Sequence, residues 1–108
     1  MQISKSNFQK QVIESNLLSL VQFKKQWNGL SQIIELVYND LAKSFEGMVN
    51  FYTVDVETEK GLESEYCVIE IPTILFFKCG MIVDHVIGLT PKNIIISKIE
   101  DAMSQDIH

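Results

Sequence analysis

Between Leu17 and Leu41 two apolar patterns stand back to back, and they restrict the fold more than any other feature of the chain. Leu17-Leu18-Ser19-Leu20-Val21-Gln22-Phe23 is a nearly continuous apolar run of strand length. That is the pattern of a strand buried on both faces, as in a parallel sheet. Leu30, Ile33, Ile34, Val37 and Leu41 then recur at i, i+3, i+4, i+7 and i+11, which is one face of an amphipathic helix. Gly47 supplies its stop. A buried strand running into a helix that must cover it is the repeating unit of an α/β fold.

The same two signatures alternate elsewhere. Ile3-Ser4 begins a short first strand, and Ser6 or Asn7 caps a helix carrying Phe8, Val12 and Ile13. Val49 to Val56 is β-branched and aromatic and reads as a third strand. Glu57 to Tyr66 is charged and reads as a short surface helix. Thr73 to Phe77 is a fourth strand, which Cys79-Gly80 turns into a fifth, Met81 to Ile87. Thr90 reads as an N-cap and Pro91 as the first residue of a last helix, which presents Ile95, Ile99, Ala102 and Met103 to the sheet. Gln105 to His108 reads as a frayed tail. The predicted order is βαβαβαββα: a mixed five-stranded sheet flanked by four helices, parallel where strands alternate with helices and antiparallel at the terminal hairpin.

Composition narrows the function. A chain of 108 residues that is 46% apolar suits one globular domain, 1–108, with a single core. The net charge is −5 and arginine is absent, which argues against nucleic acid as a partner. No stretch approaches the ~20 apolar residues of a membrane span. The N-terminus carries no leader pattern, so a cytoplasmic location is expected. Cys67 and Cys79 form no C-x-x-C and sit in no histidine or cysteine cluster, so no metal is expected.

Four landmarks carry a resemblance. They are Trp27-Asn28-Gly29-Leu30-Ser31, then Ile71-Pro72-Thr73, the Gly80 hairpin, and Gly88. With the element order, these resemble the thioredoxin family over essentially the whole chain. The family carries Trp-Cys-Gly-Pro-Cys where this sequence has Trp27-Asn28-Gly29-Leu30-Ser31. The resemblance implies a thioredoxin fold with Pro72 in cis and no cofactor. It also implies that Asn28 and Ser31 occupy the former redox positions. Disulfide exchange needs a thiolate and a second thiol to resolve the mixed disulfide, and an amide and a hydroxyl supply neither. Gln22 falls where the family has a buried aspartate that assists proton transfer, and Thr53 where many members have its charged partner.

Asn28 reads as a helix N-cap, with Ser31 in the first turn. A nucleophilic Ser31 would need a base within reach, and His85 and His108 are not placed near the second helix. Leu30 replaces the family's proline and, with Trp27, Ile71 and Leu89, could form an apolar patch; packing against neighbours is the competing reading. The family holds extended segments at this face, partly through the backbone before the cis-proline, in a mode that needs no thiol. The implied platform comprises Trp27, Gly29, Leu30, Ile71, Pro72 and Gly88, where a glycine lets a second backbone approach. Lys24 and Lys25 read as a solvated pair, or as partners to acidic residues of a bound protein, with Glu70 opposite.

Cys67 reads as an ordinary half-buried or surface cysteine, or as a reactive thiol that could form a mixed disulfide without turning over. Cys79, in the hairpin turn, reads as incidental, and His85 as a surface histidine beside Val83 and Ile87. The fourth strand separates the cysteines by about 20 Å, too far for a disulfide. The expected function is a redox-inactive thioredoxin-like protein binding a protein or peptide segment. The alternatives are an atypical oxidoreductase in redox homeostasis acting through Cys67, and a structural subunit of a larger complex.

Overall fold

The computed structural model describes residues 2–26 and 29–105. Trp27, Asn28 and the Ser31 side chain lie outside what is described, as does most of the 105–108 tail. The elements are α1 (Lys5–Phe8), continued by a π-helical turn (Gln9–Ile13), then β1 (Ser19–Lys24), α2 (Gly29–Ser44) and β2 (Asn50–Asp55). They are followed by α3 (Leu62–Glu65), β3 (Thr73–Lys78), β4 (Met81–Ile87) and α4 (Lys92–Ser104). The sheet order is β2-β1-β3-β4, with β1 parallel to β2 and the other pairs antiparallel.

The class is the expected one, a mixed sheet between helices, but the described strands number four rather than five. The predicted strand at Ile3-Ser4 shrinks to a bridge: Gln2 pairs with Thr53, and the Ile3 N–H donates to the Thr53 carbonyl at 2.8 Å. Ile3 is still buried, so its side chain serves the core although the ladder stops. β3 runs antiparallel to β1, where alternation implied parallel. A strand buried on both faces shows the same apolar pattern in either direction.

Helix ends also move. Ser4, not Ser6 or Asn7, caps α1, and its N–H donates to Asn7 Oδ1 at 2.8 Å. Pro91 is the N-cap of α4 rather than its first residue, leaving Thr90 outside. The predicted helix over Glu57 to Tyr66 is only the single turn of α3. Met103 faces outward while Ile95, Ile99 and Ala102 are buried.

Period-two alternation divides the sheet between two cores. Leu18, Leu20, Ile74 and Phe76 face α2 and α4, where they meet Ile34, Tyr38, Leu41, Ile95 and Ile99. Val21, Phe23, Leu75 and Phe77 face α1 and α3, where they meet Phe8, Val12 and Leu62. The hairpin turn places Cys79 and Gly80 both at positive φ, 52° and 79°, the geometry of a two-residue turn matched to strand twist.

Candidate functional site

Strand register places two residues of the expected platform, Pro72 and Gly88, at one end of the sheet. Phe23 pairs with Thr73, and Thr73 with Ile87. The residues just beyond them, Lys24, Pro72 and Gly88, therefore share the edge from which the chain runs on into α2. The Ile71-Pro72 peptide is cis. The Gly88 N–H donates to the Pro72 carbonyl at 2.8 Å, and the Thr73 hydroxyl donates to the Glu70 carbonyl at 2.6 Å. Two short bonds thus hold the turn that presents Ile71.

Pro72 is buried, Ile71 and Gly88 are half-buried, and Gly29 is exposed. Leu30 is 45% exposed and Leu89 53%. Gly88 takes φ +74°, and an added Cβ would meet nothing within 4 Å. Glycine is needed at 88 for its left-handed backbone rather than to clear space beside it. Trp27, Asn28 and Ser31 belong to this site by sequence, but their side chains lie outside the described set.

Lys24 is not a solvated lysine: its ammonium sits 3.1 Å from Glu35 Oε1 on α2. Lys25 is exposed and lines a mixed-charge cavity of about 380 Å³ with Glu57, Lys60, Glu63 and Ile71. Glu70 is exposed beside it.

Beneath the platform, Gln22 pairs in register with Thr53 on one side and Ile74 on the other. Gln22 is fully buried, and neither atom of its amide has a hydrogen-bond partner among the described residues. Neither residue carries a charge, so this position offers no ionisable group to take up or release a proton. Nearby, the Tyr38 hydroxyl ties β1 to β2. It lies 2.8 Å from the Leu20 carbonyl and 2.6 Å from that of Tyr52, and it accepts the Tyr52 N–H at 3.1 Å. Burial pushes the Tyr38 hydroxyl well above the usual tyrosine range.

Both cysteines are free and exposed. Cys67, at φ 58°, lines an open cavity of about 390 Å³ together with His85. The sequence did not bring these two side chains together. Phe76 pairs with Asp84 but Phe77 with Ile82, so a bulge at Val83 shifts the register of β4. His85 therefore shares a face with Ile82 and Ile87 rather than with Val83 and Ile87. No His/Cys/Asp/Glu group suited to a metal ion occurs among the described residues. None of the described helices is long and apolar enough to cross a membrane.

Comparison with known proteins agrees with this architecture. The family model described as Thioredoxin matches residues 1–101. A thioredoxin of the red alga Pyropia yezoensis is 30% identical over 95% of this chain and 96% of its own length. A thioredoxin of Rickettsia felis is 32% identical over 94% of this chain and 96% of its own length. The chloroplastic M-type thioredoxin of spinach is 31% identical over 94% of this chain, which spans 56% of that protein. On the family match and these similarities, the chain belongs to the thioredoxin family.

Proposed function

We propose that this protein is a redox-inactive member of its family that binds a protein or peptide segment at the face around Trp27 and Pro72. One observation carries the reading: the sequence has Asn28 and Ser31 where the family has its two cysteines. Neither side chain can attack a disulfide or resolve a mixed one. The uncharged Gln22 and Thr53 support it, since a buried acid is costly to keep once it has no proton to move. What the family frame retains without sulfur is a fixed turn, backbone groups beside Pro72 and a rim of apolar side chains, which suffice for recognition of an extended segment.

The exposure of Cys67 in the same cavity as His85 favours a second reading, an atypical oxidoreductase acting through one thiol. A structural subunit that buries the Pro72 face permanently would use the same surface. Affinity capture under reductant separates the thiol-dependent reading from the two that use the Pro72 face. Truncating an aromatic anchor at an interface often costs about 2 kcal/mol, so Trp27→Ala should weaken capture of the partner by roughly thirtyfold. A Cys67→Ser/Cys79→Ser protein should capture it normally. Full binding by Trp27→Ala combined with loss in the thiol-free protein would replace this reading with a cysteine-dependent one.

A further inference from the structure

An open groove of about 390 Å³ lies on the α3 side of the sheet, between the loop that follows α3 and the outermost strand, β4. Its lining is mainly apolar, with Leu75, Ile82 and Ile87 from the strands and Val68 and Ile69 from the loop, and Thr73, His85 and Glu70 supply polar groups. Ile82 and Ile87 are 46% and 51% exposed, and Ile69 is 92% exposed. This side of β4 stands open because α3 is one turn long and ends before it covers the strand. Tyr66 holds the loop in place: its ring packs edge-on against Phe77 at 5.4 Å and lies 5.1 Å from Phe8. From Ile82 to Ile87 the groove follows the strand for on the order of 15 Å, the length of several residues of extended chain.

Charge selects among possible occupants. Residues 57–70 contain five glutamates and one lysine, a net −4 within a chain of net −5. Glu57, Glu63, Glu65 and Glu70 form no ion pair among the described residues; those that form are Lys24–Glu35, Lys92–Asp40 and Lys98–Asp84. Glu70 lines the groove directly. Glu65 is exposed and is the chain neighbour of Tyr66, which lines the wall; burial first, and the Glu65 charge second, raise the Tyr66 hydroxyl above the usual tyrosine range.

The strand edge itself is closed to pairing. The bulge at Val83 breaks its register, and the His85 N–H is taken by Asp84 Oδ1 at 2.8 Å. Lys98 fixes that carboxylate at 3.1 Å. Bulges and charges of this kind protect an edge from added strands. An occupant therefore sits in the groove rather than extending the sheet.

We infer that this groove binds an extended protein segment in which apolar side chains alternate with basic ones. The apolar side chains enter between Ile82, Ile87 and Ile69, and the basic ones meet Glu65 and Glu70 at the rim. The inference goes beyond the Pro72-face reading, although the two surfaces adjoin through Glu70 and Thr73.

Titration with short synthetic peptides tests it directly. A peptide alternating leucine with lysine should bind, and raised salt should weaken it, because rim charges act through a screened field. Replacing its lysines by glutamate, or its leucines by serine, should each abolish binding. Ile82→Ser/Ile87→Ser should weaken the leucine–lysine peptide by about tenfold or more, and Glu65→Gln/Glu70→Gln by roughly threefold to tenfold at low salt. Both isoleucines are half-exposed, and thermal melts verify that the variants fold; the glutamine variant keeps the test open should the serine variant not. Failure of the leucine–lysine peptide to bind, or equal binding of the leucine–glutamate peptide, overturns the inference. So does binding that both groove variants retain and Trp27→Ala/Leu30→Ala abolishes; in that case the segment sits at the Pro72 face, and the reading of that face stands while this one falls.

Discussion

Gln22 lies in the middle of β1, fully buried, and neither its amide nitrogen nor its carbonyl oxygen has a partner among the described residues. An unsatisfied buried polar group costs about 1–3 kcal/mol, whereas an apolar group of similar shape costs nothing of that kind. Gln22→Met, which keeps the volume, should therefore stabilise the protein by about 1 kcal/mol or more. The urea midpoint should rise with no change in slope; a lower midpoint would mean that the amide has a partner in solution. The burial of Gln22 was legible in the apolar run around it, but its lack of partners depends on residues far apart in the chain. The cysteines follow the same division. Their separation could be read from the length of β3, whereas the meeting of Cys67 with His85 could not, because it rests on the bulge at Val83. With both thiols free and exposed, native and reduced, unfolded protein should give the same thiol titre, and a gain on reduction would reveal a disulfide.

The last helix shows how an element is held where local sequence says little. Lys78, the final residue of β3, directs its ammonium to the end of α4, where the carbonyls of Ala102 and Met103 accept at 2.9 Å and that of Gln105 accepts as well. A cation there pairs with the negative end of the helix dipole and satisfies carbonyls that the helix cannot. Lys78→Met keeps the stem and removes the charge, and should cost about 1–2 kcal/mol. Hydrogen exchange should accelerate in the last turn of α4 before it does in the sheet; uniform acceleration would place the role of Lys78 elsewhere. At this scale the sequence told most where periodicity is strong. The strand Met81–Ile87 appears as read, and α2 buries Ile34 and Leu41 and half-buries Val37 of its expected stripe, but Leu30 and Ile33 are exposed and Tyr38 takes their place in the core. Caps were harder, because Ser4, Ser6 and Asn7 all have capping side chains and only the Ser4–Asn7 bond distinguishes them. The strand at Ile3 shrank to a bridge because one apolar residue between Gln2 and Ser4 can bury its side chain without completing a ladder.

For the molecule as a whole, all three tyrosines titrate above their ordinary value of 10.0, Tyr38 most deeply buried, with burial the leading cause in each case. A group whose pKa is raised on folding favours the folded state fully below its unfolded pKa, and this contribution is lost as pH rises through the folded value. Stability should thus be insensitive to tyrosine ionisation below about pH 10 and fall above it. Ionisation of the last tyrosine should coincide with unfolding; all three tyrosines ionising in the folded protein near pH 10 would contradict the burial of Tyr38. The fold class and the family frame were legible across the whole chain because strand and helix periods alternate throughout and the landmark residues fall between them. The groove beside β4 was not, since it arises where α3 stops short rather than from any motif. Under the proposed function the frame persists without its redox chemistry. Insulin disulfide reduction, driven by dithiothreitol and followed by turbidity, measures this. The rate should equal that without protein, for the unsubstituted chain and for Cys67→Ser alike; catalysis above that background, abolished by Cys67→Ser, would overturn the redox-inactive reading.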